Sequence, residues 1–99
     1  MARFHVYRLK QSETLVVDIQ ADLFDALKTR IVAPLIPAPD IAHVMAGLNP
    51  RVMINGEAYV VAIHLMAAIS VSDLGALIGD LSNQHDKIVA ATGFAFRGF

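Results

Sequence analysis

Arg51-Val52-Met53-Ile54-Asn55-Gly56-Glu57-Ala58-Tyr59-Val60-Val61 is the stretch that decides the fold class. Two β-prone runs flank an Asn-Gly pair. Both residues accept positive φ, which the tight turn of a two-residue hairpin requires. The spacing predicts two antiparallel strands. Upstream, Gly47-Leu48-Asn49-Pro50 is a turn cluster, and Pro37-Ala38-Pro39-Asp40 is a rigid connector. Residues 30–36 read as another strand; Pro34 has no N–H to give to a ladder, which places it on an edge or at a bulge. Residues 15–20 are β-branched and end in polar groups. Phe4, Val6 and Arg8 alternate with His5, Tyr7 and Leu9 at the period of a strand. With Gln11-Ser12-Glu13 as the turn, these two segments form a hairpin. Residues 22–27 fit either a helical turn or a loop, and Leu23-Phe24 between Asp22 and Asp25 has the composition of an exposed loop tip.

Downstream, residues 66–71 read as a strand and residues 73–81 as a short helical piece or ordered loop. Residues 82–99 are the best helix candidate in the chain. Ser82 suits the N-cap. Asp86 suits the positive end of the macrodipole and Arg97 the negative end. Ile88, Ala91, Thr92, Ala95 and Phe99 follow one helical stripe. Val89, Phe94 and Phe96 fall outside it, so the helix is apolar almost all round from Ile88 onward, and burial on more than one side is expected. Three of the five phenylalanines lie in the last six residues. Many strands followed by one helix give a mainly β class: an antiparallel sheet with a C-terminal helix packed on it.

The 99 residues are enough for one domain, spanning 1–99, and one core. Hydrophobic residues make up 56% and charged residues 17%, against about 45–50% and about 25% in ordinary soluble domains. So small a domain cannot hide that surplus, which predicts a subunit interface, most simply a homodimer. Net charge is −1. Residues 1–30 carry five Lys/Arg against four Asp/Glu, and residues 31–99 three against five. Without a basic face, direct nucleic-acid binding is a poor expectation. There are no cysteines, hence no disulfide frame and no thiolate metal site. The N-terminus has no signal-peptide stretch. The longest apolar window, residues 58–72, is closed by Glu57 and Asp73 and falls short of the roughly 20 residues of a membrane span. A cytoplasmic protein with no membrane contact is the expectation.

Catalytic and cofactor signatures are weak. His5, His43, His64 and His85 have no metal-site spacing. Ser12, Ser70, Ser72 and Ser82 lie in no nucleophile-elbow pattern. Asp22 and Asp25 are placed to converge as an acid pair, but two solvated carboxylates on a turn are the plainer account. Gly75 and Gly79 match a small-xxx-small pattern that has little force outside a long apolar span. No glycine loop is built for phosphate. No catalytic residue, cofactor or metal is expected; the apolar excess and the aromatic C-terminal segment both point to protein contacts.

Taken in order, several segments resemble the CcdB family of plasmid and chromosomal toxins. They are Phe4-His5-Val6-Tyr7, Val17-Asp18-Ile19-Gln20-Ala21-Asp22 and Arg30-Ile31-Val32-Ala33-Pro34-Leu35. Further along come Asn49-Pro50-Arg51-Val52-Met53-Ile54-Asn55-Gly56-Glu57, the 66–71 strand, Asp80-Leu81-Ser82, and Phe96 with Gly98. The resemblance implies an antiparallel sheet with SH3-like barrel character, a small second sheet and a long C-terminal helix. It implies a homodimer that is not an enzyme, binds the DNA gyrase A subunit and traps the cleaved-DNA complex. A CcdA-like antitoxin with a disordered segment would free gyrase. The chain would meet DNA only through that antitoxin, in repression of their own operon. The gyrase contacts carry over to Leu23, Phe24, Gly93, Phe96, Arg97, Gly98 and Phe99. Three of these depart from the family pattern: Gly93 replaces the usual Asn, Arg97 the usual Trp and Phe99 the usual Ile. A tryptophan offers a flat π face to a cation and an arginine does not, so Arg97 is expected to weaken gyrase poisoning. The alternatives are a protein of the same fold that takes an antitoxin but has a weakened, lost or changed target, and a ribonuclease like the related MazF and Kid toxins.

Overall fold

The computed structural model describes residues 3–20, 26–40 and 48–97. Among the described residues, seven strands and one α-helix follow in order: β1 (His5–Leu9), β2 (Leu15–Asp18), β3 (Thr29–Pro37), β4 (Arg51–Ile54), β5 (Glu57–Val61), β6 (Ala67–Ser70), β7 (Leu74–Asp80) and α1 (His85–Arg97). The hairpin read around Asn55-Gly56 is present. Val52 faces Tyr59 and Ile54 faces Glu57 across it, and Asn55 (φ 51°) and Gly56 (φ 84°) hold the positive φ values of the turn. The strand path runs β4-β5-β3-β2-β1-β7 and every pairing is antiparallel. β6 branches from the first half of β3. The small second sheet expected from the resemblance therefore does not stand apart among the described residues; it is this branch, continuous with the main sheet.

The path curls. A Cβ built on Gly79, in the last strand of the path, would lie 3.6 Å from Cγ2 of Ile54 in the first. Inside the curl, Val6, Val17, Ala33, Leu35, Val52, Ile54 and Val61 pack with Ile88 and Ala91 of α1. Burying a side chain such as Ile88 contributes about 1.5–3 kcal/mol, which decides the face of α1 that turns inward. On the opposite face of the sheet, Tyr7, Val16, Val32 and Leu74 form a second, smaller core, with Leu9 and Ile69 against it.

Pro34 is not on an outer edge. It faces Val16 of β2, and on its other side its carbonyl accepts from the N–H of Ala62 at 2.9 Å. A strand residue's N–H and C=O point the same way. The missing N–H of Pro34 thus falls where the neighbour of β3 changes from β6, whose pairing ends at Val32, to β5, whose pairing begins at Leu35. The branch point is a local edge, and proline fits it.

Two expectations fail. Residues 73–81 are mostly strand, not helix or loop: β7 pairs with β1 along its length, with two register shifts. Those irregularities destroy the period-two signal in Leu-Gly-Ala-Leu-Ile-Gly-Asp, and β1 supplies the hydrogen bonds that the local sequence does not specify. Gly75 is needed for close approach, since a Cβ there would lie 2.6 Å from the carbonyl oxygen of Arg8. Nor does Ser82 cap the helix. Its hydroxyl and its N–H both donate to Oδ1 of Asp80, at 2.7 and 2.8 Å. That Asx turn opens a single 3-10 turn, Ser82–Gln84, and α1 starts at His85. Residues 21–25, including the Leu23-Phe24 segment and the acid pair Asp22/Asp25, lie outside the described residues, as do residues 41–47, Gly98 and Phe99.

Candidate functional site

The exposed flank of α1 is one of the apolar surfaces left uncovered among the described residues. Of the expected stripe, Ile88 and Ala91 are buried, Thr92 is half-buried and Ala95 is exposed. Off that stripe, Phe94 is half-buried, while Val89 and Phe96 are exposed. One hundred degrees round the helix from Ile88, the residues Val89, Gly93 and Phe96 line up at spacings of four and three. Val89 is 44% exposed and Phe96 74% exposed. Exposing a whole aromatic ring forgoes a contribution of about 1.5–3 kcal/mol. At the root of this stripe a shallow groove is lined by Arg3, Phe4, His85, Asp86, Val89 and Ala90. Its wall is a stack: the Phe4 ring lies 6.0 Å from the His85 ring, and the Arg3 guanidinium 4.7 Å from the Phe4 centroid. Phe4 is held at φ 69°, a conformation a bulky residue rarely adopts. Its N–H donates to Asp18 O and its carbonyl accepts from Leu81 N–H, so the ladder on both sides fixes it.

Near the C-terminal end of α1, the Arg97 guanidinium lies along the backbone of Gly93. A Cβ at Gly93 would come 2.6 Å from Nη2 and 3.5 Å from Cζ of Arg97. Thr92 Oγ1 donates to the Ile88 carbonyl at 2.9 Å, turning its hydroxyl back on the helix. Three of the residues expected to form the site, Gly93, Phe96 and Arg97, are thus brought together at one end of α1. The other four, Leu23, Phe24, Gly98 and Phe99, lie outside the described residues. The sequence reading missed Val89 as part of this surface. Its signal was available, because Val89, Gly93 and Phe96 keep helical spacing on the flank left over by the core stripe.

The other polar group of note is internal. Arg30 and Asp18 are fully buried, with Nε donating to Oδ2 at 2.7 Å. Arg30 Nη2 also donates to the Gln20 carbonyl, the Gln20 N–H donates to Asp18 Oδ1, and the Gln20 side-chain oxygen accepts from Ile31 N–H. These bonds join the last residues of the segment before position 21 to β3. A sealed pair has no path to a substrate, so this arrangement is suited to holding structure. No local pattern announces the pairing beyond a charge inside each of two β-prone runs.

The three described histidines do not meet. His5 Nε2 is 3.7 Å from Asp80, the Nδ1 of His64 is 3.1 Å from the Asn49 amide nitrogen, and His85 contacts Asp86 at 2.8 Å. His43 is outside the described residues. Among the described residues no three metal-ligating side chains cluster. Asp80 is held below the usual carboxylate range, first by the Ser82 hydroxyl, then by the Ser82 N–H, with His5 adding to it. No helix of the described residues is long and apolar enough to cross a membrane.

A family model for the CcdB protein matches residues 3–98. The chain belongs to the CcdB family. It is therefore a toxin of the toxin–antitoxin kind, and the end of α1 is the surface where a family resemblance and an uncovered apolar stripe coincide. Solved structures place this CcdB-family chain in a wider fold group. An endoribonuclease in complex with its cognate antitoxin, from a mycobacterial species, matches with TM-score 0.80 and 14% identity, over 97% of this chain and 94% of that one. The Mycobacterium tuberculosis toxin MazF-mt6 matches with TM-score 0.76 and 22% identity, over 95% and 96%. A further mycobacterial endoribonuclease gives 0.76 and 15%, over 97% and 90%. At these identities the likeness is one of fold: a curled antiparallel half-barrel with one C-terminal helix.

Proposed function

We propose that this CcdB-family toxin is a cytoplasmic homodimer that binds the DNA gyrase A subunit through the end of α1 and holds gyrase in its cleaved-DNA state. The observation that carries the reading is the bare Phe96 ring beside Gly93 and Arg97 in a chain matched over residues 3–98 by the CcdB model. A ligand shifts a conformational equilibrium only by its differential affinity for the two states. A protein that binds cleaved gyrase more tightly than resealed gyrase traps it with no chemistry of its own, and no catalytic group is required. Leu23, Phe24, Gly98 and Phe99 join the contact in this reading. Exposed apolar residues away from that end, among them Met53, Leu65, Leu77 and Val89, support a two-fold partner. A CcdA-like antitoxin would neutralise the toxin by ordering a disordered segment on the dimer, with the negative heat-capacity change of coupled folding. DNA is reached only through that antitoxin.

A ribonuclease is the second reading, favoured by the fold of the mycobacterial endoribonucleases. The Arg30–Asp18 pair is buried and unavailable to RNA, whereas Arg8 and Glu13, 3.7 Å apart, are exposed. The test expresses the chain in a gyrase-sensitive host and in one with a resistant gyrase, then repeats it with purified gyrase and plasmid DNA. Growth arrest with double-strand breaks, relieved in the resistant host, is expected. Arrest with cleaved RNA and intact DNA would replace the gyrase reading. No arrest, with antitoxin binding retained, would mean that the target is weakened, lost or changed.

A further inference from the structure

On the face of the sheet away from α1, a cavity of about 250 Å³ is lined by Leu9, Gln11, Ser12, Ile69 and Asp73. Leu9 and Ile69 are half-buried and pack against the smaller core of Tyr7, Val16, Val32 and Leu74, so they give the cavity an apolar wall. Both polar sides are held by short bonds. The N–H of Leu9 donates to the Thr14 carbonyl at 3.0 Å and the N–H of Thr14 to Ser12 Oγ at 3.1 Å, which ties down the turn that carries Gln11 and Ser12. The Lys10 N–H donates to the Asp73 carbonyl at 3.0 Å and the Leu74 N–H to the Val71 carbonyl, which fixes the backbone at Asp73. A site already ordered loses less freedom on binding.

The chemistry of the lining is one-sided. Gln11, Ser12 and Asp73 each offer an oxygen acceptor, and Ser12 Oγ keeps a second lone pair beside the one given to Thr14. Gln11 and Ser12 are neutral, so Asp73 sets the charge. Among the described residues no ion pair or hydrogen bond reaches the Asp73 carboxylate, that of neighbouring Lys10 included. The Lys10 stem lies instead along β7, its Cγ 3.5 Å from a Cβ built on Gly75. An anionic occupant would meet Asp73 with like charge, and a purely apolar one would strip water from the carboxylate without replacing it. An alkylammonium meets both demands. Its stem packs on apolar surface while its head, with three donors and no acceptor, stays at a polar rim.

We propose that this cavity reads a lysine of a protein partner, with the alkyl stem against Leu9 and Ile69 and the ammonium at Asp73, Gln11 and Ser12. The site lies on the other face of the sheet from α1 and is independent of the gyrase reading.

The experiment follows methyl and amide NMR signals of the full-length protein titrated with N-acetyl-lysine-N-methylamide. A second titration uses the norleucine counterpart, which has the same stem and no charge. Expected are saturable shifts of the Leu9 and Ile69 methyls, with the lysine compound binding at least threefold tighter than the norleucine one and losing that advantage at high salt. Asp73→Asn should weaken lysine binding at least threefold with an unchanged melting temperature, since the carboxylate holds nothing in the fold. No shift of those methyls, equal binding of the two compounds by wild type, or full-strength lysine binding by Asp73→Asn would each overturn the proposal. So would a change in the same methyls on dilution of the protein alone, which would make a second copy the occupant. Spermidine binding at least a hundredfold tighter than the lysine compound would overturn it too, in favour of a free polyamine. The comparison of the two compounds on wild type needs no variant, so a failure of Asp73→Asn to fold leaves the test intact.

Discussion

Asp18 shows what one buried charge does in a domain this small. Its carboxylate is sealed with Arg30 and also receives the Gln20 N–H. Asp18→Asn keeps the shape but leaves the guanidinium uncompensated, and breaking a buried pair from one side costs about 3–5 kcal/mol. Urea unfolding at neutral pH should show a large fall in midpoint. The double variant Asp18→Leu/Arg30→Met, which removes both charges, should lose less than Asp18→Asn; an equal or greater loss would mean that the bonds to Gln20, not the charge balance, set the stability. Asp80 acts at the surface and through pH. Its hydrogen bonds from Ser82 lower its pKa in the folded state, so its contribution is present above the ordinary carboxylate value of about 4 and is lost as pH falls through the lower, folded value. Melts of wild type and Asp80→Ala should therefore differ most near neutrality and converge in strong acid. A gap that widens in acid would reverse the assignment.

At the scale of elements, the β4–β5 hairpin and β7 mark the two ends of what sequence can reveal. Asn55-Gly56 specifies its turn by backbone chemistry alone. Space is open around Gly56, with no atom within 4 Å of a Cβ there, yet its φ is +84°. Gly56→Ala should thus cost strain and no clash, roughly 1–2 kcal/mol. Gly56→Asn should recover part of it, and a melt in which alanine equals wild type would count against the turn geometry. By contrast β7 has glycines at two of seven positions and is held by β1, some seventy residues earlier in the chain. No local pattern announces a strand whose register shifts twice. Helix α1 lies between these cases. Its body and its inward residues Ile88 and Ala91 were legible from helical spacing, whereas the proposed contact at its end came from the family resemblance. Its start was not, because Asp80 took the hydroxyl of Ser82 for a turn of its own.

For the whole molecule, the apolar excess in the composition finds only part of its place inside. Leu77, Met53, Leu65, Leu27, Phe96 and Val89 all remain exposed in the single chain. The family was readable from ordered segments scattered along the chain, whereas the contact between Gly93 and Arg97 needed coordinates, since spacing allows an i, i+4 contact without saying which side chain gives way. The dimer proposed from these faces predicts sedimentation as a two-chain particle at micromolar concentration. Phe96→Ser should leave the melting temperature of the single chain nearly unchanged, because the ring covers nothing in it. A monomer by sedimentation would leave the apolar surplus to the antitoxin and the target alone.

The pairing of β1 with β7 also governs when this toxin comes into existence. His5 faces Asp80 and Leu9 faces Leu74, so β1 is completed by a strand that lies some seventy residues later in the sequence. Closure over so long a separation must overcome chain entropy before the contacts repay it, and such topologies fold slowly. During synthesis, the inner layer of the curl stays open on the side of β1 until Asp80 has left the ribosome, and α1 has no finished floor to settle on. Nascent chains stalled before that point should be cut readily by protease, and those released beyond it should resist. A dangerous product would thereby be withheld until β7 has been made, and the cell would meet the toxin only with its sheet closed.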